Sequence, residues 1–448
     1  MFFSQATILQ KYRCFYDALH RVCIEKTKGL PTDYADFFSR LQAVCRLTNY
    51  PLRSVDSFRW RARLVLHGVI ECDEHAFLVD TRAFVDAMAH FTDTSVPAVF
   101  RGILPDVSSL PLPTEYIRQM ARRKRLRFVM QGIDDEGKYL LAVSSEMPSD
   151  TTCRIDFAVN AHTLEASHLL KEGMQFNILS FTIDHDGVYH PTYIVIEPDY
   201  LIDTTTVTNC IKPYGDSAFN HLLSKFGKRE STVYTILGDF ANQFLDDALN
   251  LASPDYLTSM RKLFAERAID ISACEGIDSN FFAETQRQFA NIKKTVADIH
   301  EMPFMQTGTP HVYIEPSFFC EALGLQGRMD CLICIGEGKS AFLIELKSGK
   351  WDEYRNRSKD EHMMQMLLYK EILFYNSGIH QSNVMGNLLY SRYPKLQEQR
   401  SYQEMVMRAL NIRNNIISLE LALLQGKGRK IMSSLSPESF RLNPQCSD

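Results

Sequence analysis

Apolar residues in the first hundred positions recur every three or four residues, the spacing that places them on one face of a helix. They are Ile8, Tyr12, Tyr16, Leu19, Phe37, Phe38, Leu41 and Val44. Pro31 and Pro51 interrupt the pattern. The spacing predicts a helical N-terminal domain over residues 1–105.

Short β-rich segments follow, separated by turn sequences such as Asp-Asp-Glu-Gly and Asp-His-Asp-Gly. The segments are residues 127–130, 139–143, 153–159, 176–183 and 192–196. This pattern predicts a β-rich domain over residues 106–204. Its many short strands resemble a small β-barrel of the oligonucleotide-binding (OB) type.

Helical spacing returns after Asp199, interrupted by a hairpin and one further strand. The predicted helices are residues 217–226, 237–249, 255–269, 279–300, 360–375 and 402–424, and the strand is 385–390. The hairpin joins two apolar stretches, Met329–Ile335 and Ala341–Leu346, through a glycine-containing turn. The arrangement predicts an α/β domain over residues 205–425, a central mixed sheet flanked by helices, and a frayed tail over 426–448.

The hairpin carries side chains suited to catalysis. Asp330 lies near the start of its first strand, and Glu345 and Lys347 are two residues apart on the second. Alternate residues of a strand share a face, so Glu345 and Lys347 point together while Leu346 faces the core. We expect two carboxylates and one amine to converge.

Two carboxylates beside a lysine suit phosphodiester hydrolysis. The reaction needs a nucleophile made from water and a cation that takes up charge on the phosphate oxygens. Hard oxygen ligands favour Mg²⁺ or Mn²⁺. We expect Asp330, Glu345 and the main-chain carbonyl of Leu346 to bind the metal, and Lys347 to orient the attacking water or to stabilise the phosphate.

Two further groups are candidates for contact with nucleic acid. His362, Gln365 and Tyr369 are spaced for one helix face, which would hold a phosphate or brace Lys347. The basic run 118–127 would either follow a DNA backbone or form a solvated helix face or linker. Its central residues are Arg122, Arg123, Lys124 and Arg125.

Composition limits the class of protein. The chain has 448 residues, 45% of them hydrophobic, and a formal net charge of -5, so any contact with DNA is expected to be local. Eleven cysteines without a disulfide framework, a start that lacks a secretory signal, and the absence of an apolar stretch of ~20 residues predict a soluble cytoplasmic protein with no membrane partner.

Three motifs in order, Gly327-x-x-Asp330, Glu345-x-Lys347 and Gln365-x-x-x-Tyr369, resemble the RecB-like branch of the PD-(D/E)XK nuclease superfamily. More narrowly, residues 324–330, 345–350 and 362–369 are similar to the nuclease module of the flap-trimming DNA replication nuclease-helicase. The resemblance covers residues 220–420.

The resemblance implies a metal-dependent DNA nuclease that acts on single-stranded or flapped DNA in replication or repair. Asp330 and Glu345 match its metal ligands, Lys347 its catalytic lysine, and Gln365 with Tyr369 its helix motif. Glu315 matches a position where similar modules often carry a glutamate. No complete phosphate-binding loop for ATP occurs in the sequence, so we expect the helicase to be a partner or to be fused to this chain.

The sequence departs from the family at two places. The family's helix motif Gly-x-x-x-His corresponds here to Gly238–Asn242, and an amide oxygen of Asn242 would bind a hard cation more weakly than the usual ligand. Related enzymes can also hold an iron-sulfur cluster with three cysteines after the site. Only Cys446 follows Tyr369, so no cluster is expected. Two alternatives therefore stay open: a catalytically weakened DNA-binding scaffold, and a restriction-type or RNA-directed nuclease.

Overall fold

The chain is a mixed α/β protein whose computed structural model divides into two compact units, Met1–Asp199 and Tyr200–Asp448. The structure describes residues 2, 5–30, 37–68, 70–71, 73–107, 125–144, 146, 152–184, 186–226, 232–307, 310–336, 338–399 and 402–440.

The first unit begins with four helices that enclose an apolar core. Thr7 and Gln10 form a capping box before the first helix, and the Asp73 carboxylate accepts a hydrogen bond from the Ala76 N–H before the fourth. The apolar positions used for the prediction, such as Tyr12 and Leu41, are fully buried. The helices are α1 (Ile8–Thr27), α2 (Phe37–Thr48), α3 (Leu52–Leu66) and α4 (Glu74–Phe91), followed by a 3₁₀ turn at Ala98–Phe100.

The rest of the first unit is a closed five-stranded barrel. Its strands are β1 (Arg125–Ile133), β2 (Tyr139–Ser144), β3 (Cys153–Asp156), β4 (Gln175–Ile183) and β5 (Val188–Ile196), and α5 (Ala161–Leu169) joins β3 to β4. The strand order around the barrel is β1-β2-β3-β5-β4. The fifth strand starts earlier than predicted and contains Pro191, which lies beyond Tyr189, its last residue paired with β3. Pro191 is paired with Phe181 on the β4 side only, and proline is tolerated where one side of a strand is unpaired.

The helices and the barrel belong to one unit. Phe38 of α2 shares a small apolar cluster with Val129 and Val143 of the barrel. Arg46 forms an ion pair with Glu172 at 2.8 Å. The compact unit therefore spans the boundary that the sequence predicted near residue 105.

The second unit is built on a five-stranded sheet of order β13-β12-β11-β10-β7, with a smaller sheet of order β6-β9-β8. The predicted hairpin is present as β10 and β11, paired antiparallel, and β11 pairs with β12 in parallel. The strands are β6 (Ile202–Asp203), β7 (His311–Ile314), β8 (Ser317–Cys320), β9 (Leu325–Arg328), β10 (Cys331–Ile335), β11 (Ser340–Lys347), β12 (Val384–Tyr390) and β13 (Leu396–Gln399).

Helices cover both faces of the five-stranded sheet. One face carries a core in which Phe240 and Phe244 pack with Ile344 and Leu346 of β11, and α13 lies against the other face. The helices are α6 (Thr204–Thr208), α7 (Asn220–Phe226), α8 (Val233–Asn250), α9 (Tyr256–Glu266), α10 (Ala268–Ala273), α11 (Ser279–His300), α12 (Pro303–Thr307), α13 (Asp360–Ser377), α14 (Gln403–Leu424) and α15 (Gly428–Ser434), with 3₁₀ turns at Gln381–Asn383 and Pro437–Phe440.

Two segments differ from the sequence prediction. The single helix predicted over 255–269 is two helices, α9 and α10, because the backbone leaves helical geometry at Arg267. The predicted frayed tail contains α15 and a buried Phe440, whose ring lies edge-on to Phe219. Apolar burial and a hydrogen bond from the Ser217 hydroxyl to the Ser439 carbonyl hold this tail segment in place.

Candidate active site

Asp330 and Glu345 face each other across β10 and β11. The strands pair with Cys331 opposite Ile344, so the preceding residue, Asp330, falls opposite Glu345. The Leu346 N–H donates to Asp330 Oδ2 at 2.6 Å. Because the N–H and C=O of a strand residue project to the same side, the Leu346 carbonyl also faces the Asp330 side. The hairpin thus gathers the three predicted oxygen ligands.

Glu345 is a buried carboxylate with one satisfied and one unsatisfied oxygen. Its side chain is 3% exposed, and Oε1 accepts a hydrogen bond from Lys347 Nζ at 2.8 Å. Its other oxygen, Oε2, has no hydrogen-bond partner within the described part of the chain. Burial raises the pKa of Glu345 despite the opposing charge of Lys347. A buried oxygen without a donor is costly unless a cation or water reaches it.

Asp330 shares this electrostatic environment. Burial and the neighbouring Glu345 carboxylate raise the pKa of Asp330 well above its usual range, against the charge of Lys347 and the Leu346 N–H. Two close carboxylates in low dielectric cannot both ionise easily without a compensating positive charge. The site therefore has the electrostatic character of a cation-binding position.

Lys347 is held between a carboxylate and an amide. Its Nζ donates to Glu345 Oε1 and to Gln365 Oε1, each at 2.8 Å. The main chain just after it is also fixed, because the Ser391 N–H donates to the Lys347 carbonyl at 2.9 Å and Gln288 Nε2 donates to the Ser348 carbonyl at 3.3 Å. Residues 288 and 391 lie far from the motifs in sequence, and no sequence pattern singled them out.

Tyr369 connects two of the sequence motifs. Its hydroxyl donates to the Arg328 carbonyl at 2.8 Å and accepts from Gln365 Nε2 at 3.1 Å. A Cβ atom at Gly327 would lie 2.8 Å from the Tyr369 ring and 2.8 Å from the Thr204 hydroxyl oxygen. Glycine is therefore needed three residues before Asp330, because the tyrosine ring occupies the space of a side chain.

His362 lies one turn before Gln365 and contacts a neighbouring strand. Its Nδ1 is 2.9 Å from the Tyr390 hydroxyl. Burial and the charges of Lys347 and Lys359 lower the pKa of His362 to about 3, so the imidazole is neutral at pH 7. A neutral imidazole offers a phosphate one N–H donor and no charge.

The structure describes two of the remaining predicted site residues, Asn242 and Arg125. Asn242 is half-buried on α8, and no hydrogen bond within the described residues links it to Asp330 or Glu345. In the first unit, Arg125 donates to Glu146 Oε1 at 2.7 Å. The remaining basic residues, Arg122, Arg123 and Lys124, lie outside the described residues.

Glu315 and Asp246 add acidic character around the site. The Glu315 N–H donates to the Asp330 carbonyl at 3.0 Å, while its carboxylate pairs with Arg328 at 3.2 Å. Burial, with the nearby Glu315 and Asp247 carboxylates, raises the pKa of Asp246 to about 6. No sequence motif singled out Asp246. Its spacing of four residues from Asn242, which places both on one helix face, could have identified it.

The hairpin offers oxygen atoms to a divalent cation. Within the described residues no three His, Cys, Asp or Glu side chains are grouped closely enough to hold a metal ion on their own. Mg²⁺ typically uses one or two carboxylates and keeps several waters. The unsatisfied Oε2 of Glu345, the Asp330 carboxylate and the Leu346 carbonyl fit that mode of binding.

Comparisons with known proteins give no family assignment. No family model matches the sequence, and no curated protein matches it significantly. Among the described helices, none combines the length and the apolar character needed to cross a membrane.

Proposed function

We propose that this chain is a divalent-metal-dependent deoxyribonuclease that hydrolyses phosphodiester bonds in single-stranded or flapped DNA. One observation carries the proposal: the buried Glu345 leaves an oxygen without a donor beside Asp330 and Lys347. A purely structural glutamate at that depth would be expected to have both oxygens satisfied.

The residues divide the chemical tasks among them. Mg²⁺ or Mn²⁺, when bound by Asp330, Glu345 and the Leu346 carbonyl, would neutralise phosphate charge and acidify a water molecule. Lys347 has three N–H donors and uses two on Glu345 and Gln365, which leaves one for the attacking water or a phosphate oxygen. Gln365, itself bonded to Tyr369, positions the ammonium.

The finer fold assignment belongs to the same proposal. We infer a PD-(D/E)XK nuclease core of the RecB-like branch in the second unit, supported by the acidic residue and the Glu-x-Lys motif on adjacent antiparallel strands. For the first unit we infer an OB-type barrel, supported by the strand order β1-β2-β3-β5-β4 and a helix between β3 and β4. Such barrels bind oligonucleotides.

The cellular setting follows from the sequence resemblance. A nuclease of this type would work in the cytoplasm with a helicase that exposes single strands during DNA replication or repair. The helicase would act in trans or be fused to this chain.

A second function, a DNA-binding scaffold without turnover, is favoured by two observations. The described carboxylates near Glu345 do not form a three-ligand metal group, and Asn242 replaces the family's histidine. A scaffold would bind DNA near Asp330 and Glu345 and leave its phosphodiester bonds uncleaved.

A cleavage assay separates the two functions. Purified protein is incubated with Mn²⁺ or Mg²⁺ and with labelled single-stranded DNA, flapped DNA or single-stranded RNA. Wild type is compared with Lys347→Ala and with Lys339→Ala, which removes an exposed lysine at the other end of the same hairpin.

We expect metal-dependent cleavage of single-stranded or flapped DNA by wild type and Lys339→Ala, and cleavage about 10³-fold slower by Lys347→Ala. Binding without cleavage by all three proteins would establish the scaffold instead. Preferential cleavage of RNA, or of intact duplex at fixed sequences, would replace the proposed substrate with that of an RNA-directed or restriction-type nuclease.

A further inference from the structure

The segment Ser348–Lys359, which joins β11 to α13, forms an ordered loop immediately after the catalytic strand. Asp352 and Arg357 exchange main-chain hydrogen bonds at 2.9 and 3.2 Å, and the Arg355 N–H donates to Asp352 Oδ1 at 3.0 Å. These bonds close a tight turn over residues 353–356. The turn carries Tyr354 at its tip, and we call this segment the 348–359 loop.

The loop carries two aromatic side chains, an exposed tyrosine and a half-buried tryptophan. Tyr354 is 97% exposed, the highest fraction among the large hydrophobic side chains that the structure describes. Trp351 stacks face to face on Tyr393, with ring centroids 4.0 Å apart and planes inclined by 4°. Aromatic rings held open to solvent provide faces on which nucleic-acid bases stack without regard to sequence.

The loop also carries exposed positive charges. Lys350, Arg355 and Arg357 are each about half exposed or more and pair with acidic residues three positions away in the sequence. Exposed pairs of this kind are weak, so a phosphate can compete for the cation. Lys359 and Lys395 have no ion-pair partner within the described residues.

Two hollows lie along the loop and share Trp351, Arg357 and Ser358 in their linings. One has a volume of about 490 Å³ and is also lined by four further cationic residues and four acidic ones. The cations are Lys212, Arg355, Lys359 and Arg408, and the acids are Asp352, Glu353, Asp360 and Glu361. The other has a volume of about 740 Å³ and is also lined by Lys395, Glu398 and Glu404. The hollows provide room beside the stacked rings for a sugar-phosphate chain.

Contacts between aromatic residues connect the 348–359 loop to the candidate active site. Trp351 packs edge-on against Tyr390 at 6.1 Å, and Tyr390 is the residue of β12 paired with Lys347. Tyr390 also contacts His362, one turn before Gln365, which bonds Lys347. Four residues of extended chain span at most about 14 Å, so Trp351 lies within about four stacked nucleotides of Lys347.

We propose that the 348–359 loop is a stacking platform for single-stranded DNA, on which bases next to the scissile phosphate lie against Tyr354 and the Trp351–Tyr393 pair. This inference deepens the proposed nuclease function and rests on it. Cations of the loop bind the phosphates between the stacked bases. The platform favours single strands because bases paired within a duplex do not offer their faces to side chains.

The test measures binding separately from cleavage. Fluorescence anisotropy with labelled single-stranded DNA, in EDTA, gives the dissociation constants of wild type, Tyr354→Ala, Tyr354→Phe and Trp351→Ala. Tyr354→Phe is the matched control because it keeps the stacking face and loses only the hydroxyl. Circular dichroism and thermal unfolding establish that each variant is folded, and duplex DNA and single-stranded RNA are competitors.

We expect Tyr354→Ala to bind single-stranded DNA about tenfold more weakly than wild type, and Tyr354→Phe to bind like wild type. In cleavage assays with metal, Tyr354→Ala should raise KM and leave kcat unchanged. Equal affinity of wild type and Tyr354→Ala, or tighter binding of duplex or of RNA, would overturn the platform. If no protein cleaves DNA but the binding pattern holds, the proposed nuclease activity fails while the platform stands.

Discussion

Two buried glutamates of the second unit, Glu345 and Glu420, differ in what surrounds them. Glu420 is 4% exposed, and both of its oxygens have donors. His221 Nε2 is 2.6 Å from Oε1, Lys225 Nζ donates to both oxygens, and the Tyr200 hydroxyl lies 3.3 Å from Oε2. These donors outweigh burial and lower the pKa of Glu420.

Glu345 is buried to the same extent, at 3% exposure, yet its pKa is raised. Burial tends to raise the pKa of both residues. In Glu345, however, only one carboxylate oxygen accepts a hydrogen bond from Lys347. The comparison teaches that the number of donors, and not depth, separates a carboxylate that stabilises the fold from one that is available to a cation. Four predictions extend it.

The largest expected effect distinguishes the lysines that pair with these glutamates. Lys347→Ala should slow metal-dependent DNA cleavage by about 10³-fold, because it removes a charge positioned at the reacting phosphate. Lys225→Ala should leave the cleavage rate at the wild-type level. Lys225 donates a hydrogen bond to Glu420, which is not one of the candidate active-site residues. Single-turnover cleavage kinetics measure both, and equal losses in the two variants would contradict the comparison.

The second prediction concerns stability without metal. Glu420→Gln should lower the free energy of unfolding by about 2 kcal/mol, since it takes the charge from a buried cluster whose lysine is partly screened by solvent. Glu345→Gln should leave the free energy unchanged or raise it by about 1 kcal/mol, because it removes a poorly solvated carboxylate. Urea unfolding followed by circular dichroism checks both. A large loss of unfolding free energy in Glu345→Gln would show that both carboxylate oxygens of Glu345 are satisfied in the metal-free protein.

The third prediction is a difference in pH dependence. The pKa of Glu420 is lowered, so its stabilisation is present above the ordinary glutamate value and is lost as the pH falls through its folded value. The pKa of Glu345 is raised, so folding favours its protonated form and stability is lost as the pH rises above that ordinary value.

Unfolding measured from pH 7 down to acid should therefore separate the variants. The deficit of Glu420→Gln relative to wild type should shrink as the pH falls. The advantage of Glu345→Gln should also vanish at acid pH, because wild-type Glu345 is then protonated. If the stability of Glu345→Gln relative to wild type instead increased as the pH falls, the raised pKa of Glu345 would be contradicted.

The smallest effect is expected at Asn242. A neutral amide oxygen contributes little to a site already supplied with the carboxylates of Asp330 and Glu345. Asn242→Ala should weaken Mn²⁺ binding less than about tenfold, the low end of what loss of a supporting group costs. Calorimetric titration with Mn²⁺ measures this, and complete loss of binding would make Asn242 an essential ligand.

The hairpin and its helices were predictable because their signals are local. The apolar stretches 329–335 and 341–346, with the turn between them, predicted β10 and β11, and the pairing of these strands places Asp330 opposite Glu345. Helix α11 begins and ends where the apolar spacing predicted, with Asp278 as its N-cap. Short-range periodicity and capping were sufficient in these places.

Contacts between distant residues were not predictable. Glu420 meets His221 and Lys225 across about two hundred residues, and only the folded chain brings them together. The tail was expected to fray because its sequence lacks a long helical pattern, yet Phe440 is buried. The 348–359 loop was also missed, although aromatic residues interleaved with basic ones at 350–359 provide a signal for nucleic-acid contact.

The central claim is that the unsatisfied oxygen of Glu345 belongs to a divalent-cation site. Isothermal titration of Mn²⁺ into the metal-free protein, without DNA, tests it on wild type, Glu345→Gln and Glu420→Gln. The account predicts one bound Mn²⁺ per chain in wild type and Glu420→Gln, and none in Glu345→Gln. Equal binding by wild type and Glu345→Gln would contradict it.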